Sequence, residues 1–197
     1  MMEIMQRLKE ETAQAHKDTE KHSKGSEIMS RQLSLEGYSE ILMKNYQVHE
    51  HFETCLQKVQ GLDELFGNEL NERWRTDSLK ADLQKLGADP IKFDGELPVP
   101  LTIAEALGCM YVLEGSTLGG AVIMRQLQHI SDISEKDAFA FYGFYGKELG
   151  KKWQEFGLIL TNFASKHKAE DEVAKFARTT FEAVEIVFRQ TFERVES

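Results

Sequence analysis

Apolar residues recur at helical spacing along almost the whole chain, and only short segments alternate as a strand would, so the pattern predicts an all-α protein. A first helix is expected from about Glu3 to Lys21, stopped by Gly25-Ser26. A long helix follows from Tyr38 to Gln60, in which Ile41, Leu42, Asn45, Val48, His49, Phe52 and Leu56 keep close to an i, i+3, i+4 stripe; Gly61 and Gly67 frame its end. The next, Asn68 to Leu86, carries Leu70, Trp74, Leu79 and Leu83 and stops at Gly87. Pro90, Pro98 and Pro100 all fall in the stretch after it, which reads as a surface crossing. Thr102 with Glu105 three residues later forms a capping-box pattern, opening a helix that runs into an apolar, glycine-rich segment. From Glu135 to about Lys166 the pattern is helical and aromatic, with Phe139, Phe141, Tyr142, Phe144 and Tyr145 around Gly143 and Gly146, read as core aromatics at a helix break. A last helix from Glu170 to Val195 repeats Val173, Phe176, Thr180, Phe181, Val184, Val187, Phe188 and Thr191 on one unbroken face.

Length and composition narrow the classes. The 197 residues suffice for one substantial core, no linker divides them, and a single domain over 1–197 is expected. Charged residues at 29% and hydrophobic ones at 41% match an ordinary soluble globular chain. The opening Met1 to Arg7 is charged too soon for a signal peptide. No apolar run is read as approaching the ~20 residues that span a bilayer, so a cytoplasmic location is expected. Cys55 and Cys109 stand far apart with no partner at metal spacing and are expected to be buried thiols. A net charge of −9 disfavours a nucleic-acid or anionic-membrane surface, and an anionic ligand must then be met by local positive groups.

Two segments carry chemistry. Lys9 and Glu20 lie seven residues before and four after His16, so on one helix the three side chains share a narrow sector. An imidazole there can ligate a metal, Glu20 can hold its other ring N–H, and Lys9, about 10 Å back along the axis, can meet a carboxylate. Such an acceptor fixes the tautomer and makes the histidine a better ligand. The second segment, Tyr111 to Met124, places Gly115, Gly119 and Gly120 inside a helical pattern, where each glycine costs about 1 kcal/mol against alanine. Gly115 and Gly119 share a face and bare its backbone for a full turn, while Gly120 beside them loosens the helix. Close helix packing or a kink would each explain the glycines alone. A planar ligand held between a ligating helix and a glycine-bared helix explains both segments.

The first segment resembles the proximal helix of the haem oxygenase family, matched at Leu8, Lys9, Glu10, Thr12, His16 and Glu20. The run Tyr111-Val112-Leu113-Glu114-Gly115-Ser116-Thr117-Leu118-Gly119-Gly120 is similar to a bacterial form of that family's distal helix, and the likeness extends to Phe181 and Phe188 on the last helix. Ser116 stands where many relatives carry an Asp that orders a water near bound oxygen. Lys151 and Lys152 are the nearest candidates for the family's basic partners on the penultimate helix.

The resemblance implies a multi-helix haem-oxygenase-like fold with haem between the proximal and distal helices. His16 would ligate the iron, and Lys9, Thr19, Glu20, Gly115, Gly119, Gly120, Lys151, Lys152, Phe181 and Phe188 would contact the haem. Gly115, Ser116 and Gly119 would shape the oxygen side. It also implies a monooxygenase for which haem is both substrate and oxygen-activating cofactor, giving biliverdin, carbon monoxide and ferrous iron. Electrons would come from a separate reductase or ferredoxin, because the chain has no Gly-x-Gly-x-x-Gly motif.

Three rival readings compete. A di-iron bundle needs Glu-x-x-His, and no Glu in the chain is followed by His at the third position. A non-degrading haem carrier or sensor of the same fold is kept open by Ser116. A helical interaction protein would use the glycines for packing alone. Of the other histidines, His49 and His51 point 200° apart, and His22, His129 and His167 have no acid placed one turn away in the same favourable manner as Glu20.

Overall fold

A computed structural model describes residues 4–190, and among them every regular element is helical. In chain order the helices are α1 (Ile4–Glu11), α2 (Ala13–Glu20), α3 (Gly25–Met29), α4 (Leu35–Leu56), α5 (Leu62–Phe66), α6 (Thr76–Lys85), α7 (Ile103–Leu127), α8 (Ser131–Ser134), α9 (Leu149–His167) and α10 (Glu170–Phe188), with 3-10 turns at Gly67–Arg73 and Gly146–Glu148. The all-α expectation holds. The expected start at Glu3 and the stretch of the last helix beyond Gln190 lie outside the described residues.

Local sequence sets several ends. Ser34 caps α4 by accepting from the Gly37 amide at 3.0 Å. The capping box at α7 is formed as expected, with Thr102 accepting from the Glu105 amide and Glu105 reaching back to the Thr102 amide.

Helices α7 and α10 form the centre. Gly108 lets their backbones touch, since a Cβ there would collide with the carbonyl of Val173 and the amide of Ala177. Around them Leu8, Phe52, Leu56, Leu107, Met110, Phe156, Leu160 and Val187 make one buried cluster. Tyr38, Leu42, Leu79, Leu83, Leu127, Ile133 and Phe141 make a second around α4, α6 and the end of α7.

Five expectations need correction. The first helix is broken at Thr12, whose hydroxyl bonds the Leu8 carbonyl at 2.7 Å and competes with regular backbone pairing. Residues 68–86 are not one helix, because Trp74 is extended (ψ 124°) between the 3-10 turn and α6. The aromatic segment is not helical before Leu149, and residues 138–145 form a strap of turns. Cys109 is buried but Cys55 is only half-buried. Finally, α7 is long and apolar enough to cross a membrane by length and composition, contrary to the expectation that no run approaches that length. Its apolarity has another use, because one side packs against α10 and the other presents Gly115, Leu118, Gly119 and Val122.

Candidate functional site

His16 stands on α2 with its ring largely exposed, at 59% of the side chain. Its Nδ1 lies 3.5 Å from Glu20 Oε1, one turn on, which leaves Nε2 as the outward nitrogen. Below, the ring meets the edge of Phe181 on α10 at 5.9 Å between centroids and 70° between planes. Helix α10 packs against both α2 and α7 and so floors the space between them. Thr12 and Tyr111 lie side by side where the two walls meet. His16 lies one turn beyond Thr12, and Gly115 lies one turn beyond Tyr111.

The glycine segment stays helical throughout, so its glycines mark neither a kink nor an end. They differ in what they face. A Cβ on Gly119 would meet nothing within 4 Å, and Leu118 and Val122 beside it are large apolar side chains left exposed. A Cβ on Gly115 would lie 3.8 Å from the Trp153 ring, in ordinary contact. Gly120 faces the other way, and a Cβ there would lie 3.4 Å from the Tyr142 ring. With α2 and α7 both packed on α10, an exposed imidazole on one and an open, apolar, glycine-bared face on the other suit a flat apolar ligand with a metal at its centre. The donor set, one neutral-capable imidazole with an acceptor behind it, suits haem iron.

Ser116 turns its hydroxyl into its own helix and donates to the Leu113 carbonyl at 2.6 Å. Its oxygen lies 3.4 Å from Arg75 Nη1. Arg75 is buried, and its Nη2 also donates to the Leu113 carbonyl. The guanidinium sits over the Phe141 ring at 5.4 Å.

Behind α7 lies a buried polar cluster. Glu114 accepts from Arg73 Nη1 at 3.1 Å and from the Tyr145 hydroxyl at 2.9 Å. Burial raises the Glu114 carboxyl above its usual range, and the charges of Arg75 and Arg73 only partly offset that. Burial likewise pushes the Tyr145 phenol up, with Glu114 adding to it, so Tyr145 remains a donor. Further back, Glu53 is ionised. Burial opposes its charge, but bonds from His49 and Thr76 and from the Arg75 amide outweigh that and lower its pKa. It thereby satisfies the first amides of α6, at 2.8 Å to Arg75 N and 3.0 Å to Thr76 N. Burial, and next the charge of Arg75, holds His49 below the usual histidine value, so its neutral ring donates from Nδ1 to Glu53 at 2.8 Å.

The remaining expected residues are scattered. Lys9 is exposed and makes no ion pair among the described residues. The Thr19 hydroxyl bonds the Ala15 carbonyl at 3.0 Å. Lys152 is committed to Glu72 at 2.7 Å and Glu69 at 3.7 Å, and Lys151 sits between Glu148 and Glu155. Phe188 is buried and lines a cavity of about 650 Å³ with Lys17, Glu20, Lys24 and Lys44 at the far end of α2. Sequence reasoning missed Arg73, Arg75, Glu53 and Tyr145. The signals were present in Glu53 one turn after His49 and in the single acid Glu114 within an apolar run.

The chain is 28% identical over 190 residues to Heme oxygenase PigA of Pseudomonas aeruginosa, covering 95% of this chain and 92% of that protein. It is 34% identical over 97 residues to a heme oxygenase of Xanthomonas campestris pv. campestris, a match that takes in 49% of this chain and only 56% of that relative. Among solved structures, the NO- and CO-bound heme oxygenase of Neisseria meningitidis superimposes with a TM-score of 0.76 at 27% identity, covering 96% of this chain and 92% of that one. Heme oxygenase from Leptospira interrogans shares the fold, with a TM-score of 0.74 at 18% identity over 95% of this chain and 98% of that one. The Heme oxygenase family model matches residues 2–190, and the chain belongs to the haem oxygenase family.

Proposed function

We propose that this chain is a haem-degrading monooxygenase that converts haem to biliverdin, carbon monoxide and ferrous iron. The observation that carries the reading is an exposed His16 backed by Glu20 on α2 and a bare, open helix face at Gly119 on α7, two helices that both pack on α10. Haem is the substrate, and its iron activates dioxygen for attack on its own ring. His16 would hold the iron through Nε2, with Glu20 fixing the tautomer at Nδ1. Gly119, Leu118 and Val122 would lie against the ring's other face.

The protein's contribution is position. Phe181 limits the tilt of the His16 ring. Gly115 and Gly119 leave room only for small groups between α7 and the ligand. Lys9 would meet a propionate. The Ser116 proton is spent on Leu113, and the group beside it that keeps an unpaired donor is Arg75, at its buried Nε. Electrons come from a separate reductase or ferredoxin. Two free cysteines fit a reducing cytoplasm.

Hemin titration of the purified chain should give a sharp Soret band that His16→Ala abolishes. Single turnover with ascorbate or a reductase should then replace that band by bilin absorption. Binding without bilin formation would instead make the chain a carrier or sensor, the reading that the inward-turned Ser116 hydroxyl favours.

A further inference from the structure

The strap at residues 138–145 enters the site described above only through Tyr145 and Phe141, yet it spans the rear of the glycine segment. Tyr145 reaches Glu114, Tyr142 fills the space beside Gly120, and a Cβ on Gly143 would lie 3.3 Å from the Met124 sulfur. Phe141 lies beneath both His49 and Arg75, so the strap also supports the side chain that bonds Leu113 and Ser116. The strap is short of regular backbone pairing and needs outside anchors. Asp82 on α6, wholly buried, supplies the main one, accepting from the Ala140 amide at 2.9 Å and the Phe141 amide at 2.8 Å. Tyr38 on α4 donates to the Ala138 carbonyl and stacks on Tyr142.

We propose that Asp82 is a positioning residue for α7: by clamping two successive amides of the strap it holds the glycine segment in place from behind. Three glycines in six residues leave that stretch with weak intrinsic helicity. Nothing faces Gly119 on its open side, and Gly115 meets only the Trp153 ring. The strap contacts therefore add to the packing on α10 in keeping residues 115–124 straight. A carboxylate suits the clamp because both its oxygens accept, whereas an amide would turn one N–H toward a backbone N–H. The consequence for haem binding rests on the function proposed above, but the clamp itself does not.

Hydrogen exchange on the full haem-free chain tests it. Asp82→Asn should speed amide exchange over residues 116–124 by about tenfold, as expected when a local closing contact is lost. Hemin dissociation should quicken by a similar factor. Tyr145→Phe should produce a smaller effect of the same kind, and the double variant should be no worse than Asp82→Asn alone. Leu62→Ala, destabilising the other cluster to a matched Tm, should leave residues 116–124 unchanged. Should Asp82→Asn not fold, Tyr38→Phe, which removes the strap's other anchor, carries the same expectation. Faster exchange confined to 138–145, additive effects in the double variant, or an equal response to Leu62→Ala would each overturn the proposal. If the parent chain shows no Soret band with hemin, the function fails while the exchange result still decides the clamp.

Discussion

Ser116 and Arg75 converge on one acceptor, the carbonyl of Leu113, with the serine hydroxyl donating at 2.6 Å and the guanidinium donating through Nη2. A serine inside a helix can turn its hydroxyl back to the carbonyl four residues earlier, here Val112. The hydroxyl takes the i−3 carbonyl instead, where Arg75 already sits. The serine therefore offers the ligand side an oxygen and no proton, while Arg75 retains an unpaired Nε.

Ser116→Ala should slow bilin formation tenfold or less, the scale of one neutral hydrogen bond at about 1 kcal/mol. Arg75→Leu keeps the apolar contact with Phe141 but loses both bonds, and a loss of roughly a hundredfold is expected, from charge-assisted bonds of about 1.5–3 kcal/mol. Single-turnover decay of the Soret band measures both. A larger effect from Ser116→Ala would return the polar role to the serine.

His16→Ala should abolish the proximal-histidine spectrum and nearly all turnover, with partial rescue by added imidazole. Because the ring is 59% exposed and its other contact is the edge of Phe181, unfolding free energy should change by no more than about 0.5 kcal/mol. A wild-type haem spectrum in the variant would remove His16 as ligand.

What was legible in the sequence was local. The capping box at Thr102, the glycine run and the His16 to Glu20 spacing each depend on residues within a turn or two, and all are present as read. What was illegible depends on partners far along the chain. Arg73 meets Glu114 at a separation of 41 residues, Glu53 meets Thr76 at 23, and Asp82 meets Ala140 at 58. Nothing in a helical period tells a buried charge from a surface one. The two arginines also explain why one helix was expected over 68–86, where burying both around an extended Trp74 overrides helical propensity.

The glycines of α7 should respond in opposite senses. Gly119→Ala adds a Cβ to open space and should stabilise the haem-free protein by about 0.5–1 kcal/mol through helix propensity, while Gly119→Phe should weaken hemin binding by obstructing the face. Gly108→Ala drives a methyl into the α10 backbone and should cost about 1–3 kcal/mol. Thermal or urea unfolding, paired with hemin titration, separates the two. Equal hemin affinity for Gly119→Phe would assign that glycine to packing alone.

Glu53 gives a pH signature. Its folded pKa lies below the unfolded value near 4.3, so its stabilisation is present above that value and is lost as pH falls toward the folded pKa. Glu53→Gln should therefore cost roughly 2–3 kcal/mol at pH 7, the scale of bonds to a buried charge, and visibly less near pH 3. Urea midpoints at the two pH values check this. A cost independent of pH would mean that the carboxyl is already protonated at neutrality.

Lys9 separates the candidates for the carboxylate end of haem. Lys152 is held by Glu72 and Glu69, and Lys151 by Glu148 and Glu155, so either must break ion pairs before it meets a propionate. Lys9, exposed and without an ion pair among the described residues, has no such cost. Exposed pairs contribute only about 0.2–1 kcal/mol, so Lys9→Ala should raise the hemin dissociation constant about fivefold or less without disturbing ligation by His16. Its larger effect should be on in-plane orientation, seen as a mixture of biliverdin isomers where the parent gives one. Lys151→Ala and Lys152→Ala should leave the isomer composition unchanged. The reverse outcome, a mixture from Lys152→Ala and none from Lys9→Ala, would place the propionates at α9 and require the Lys152 to Glu72 pair to open when haem enters.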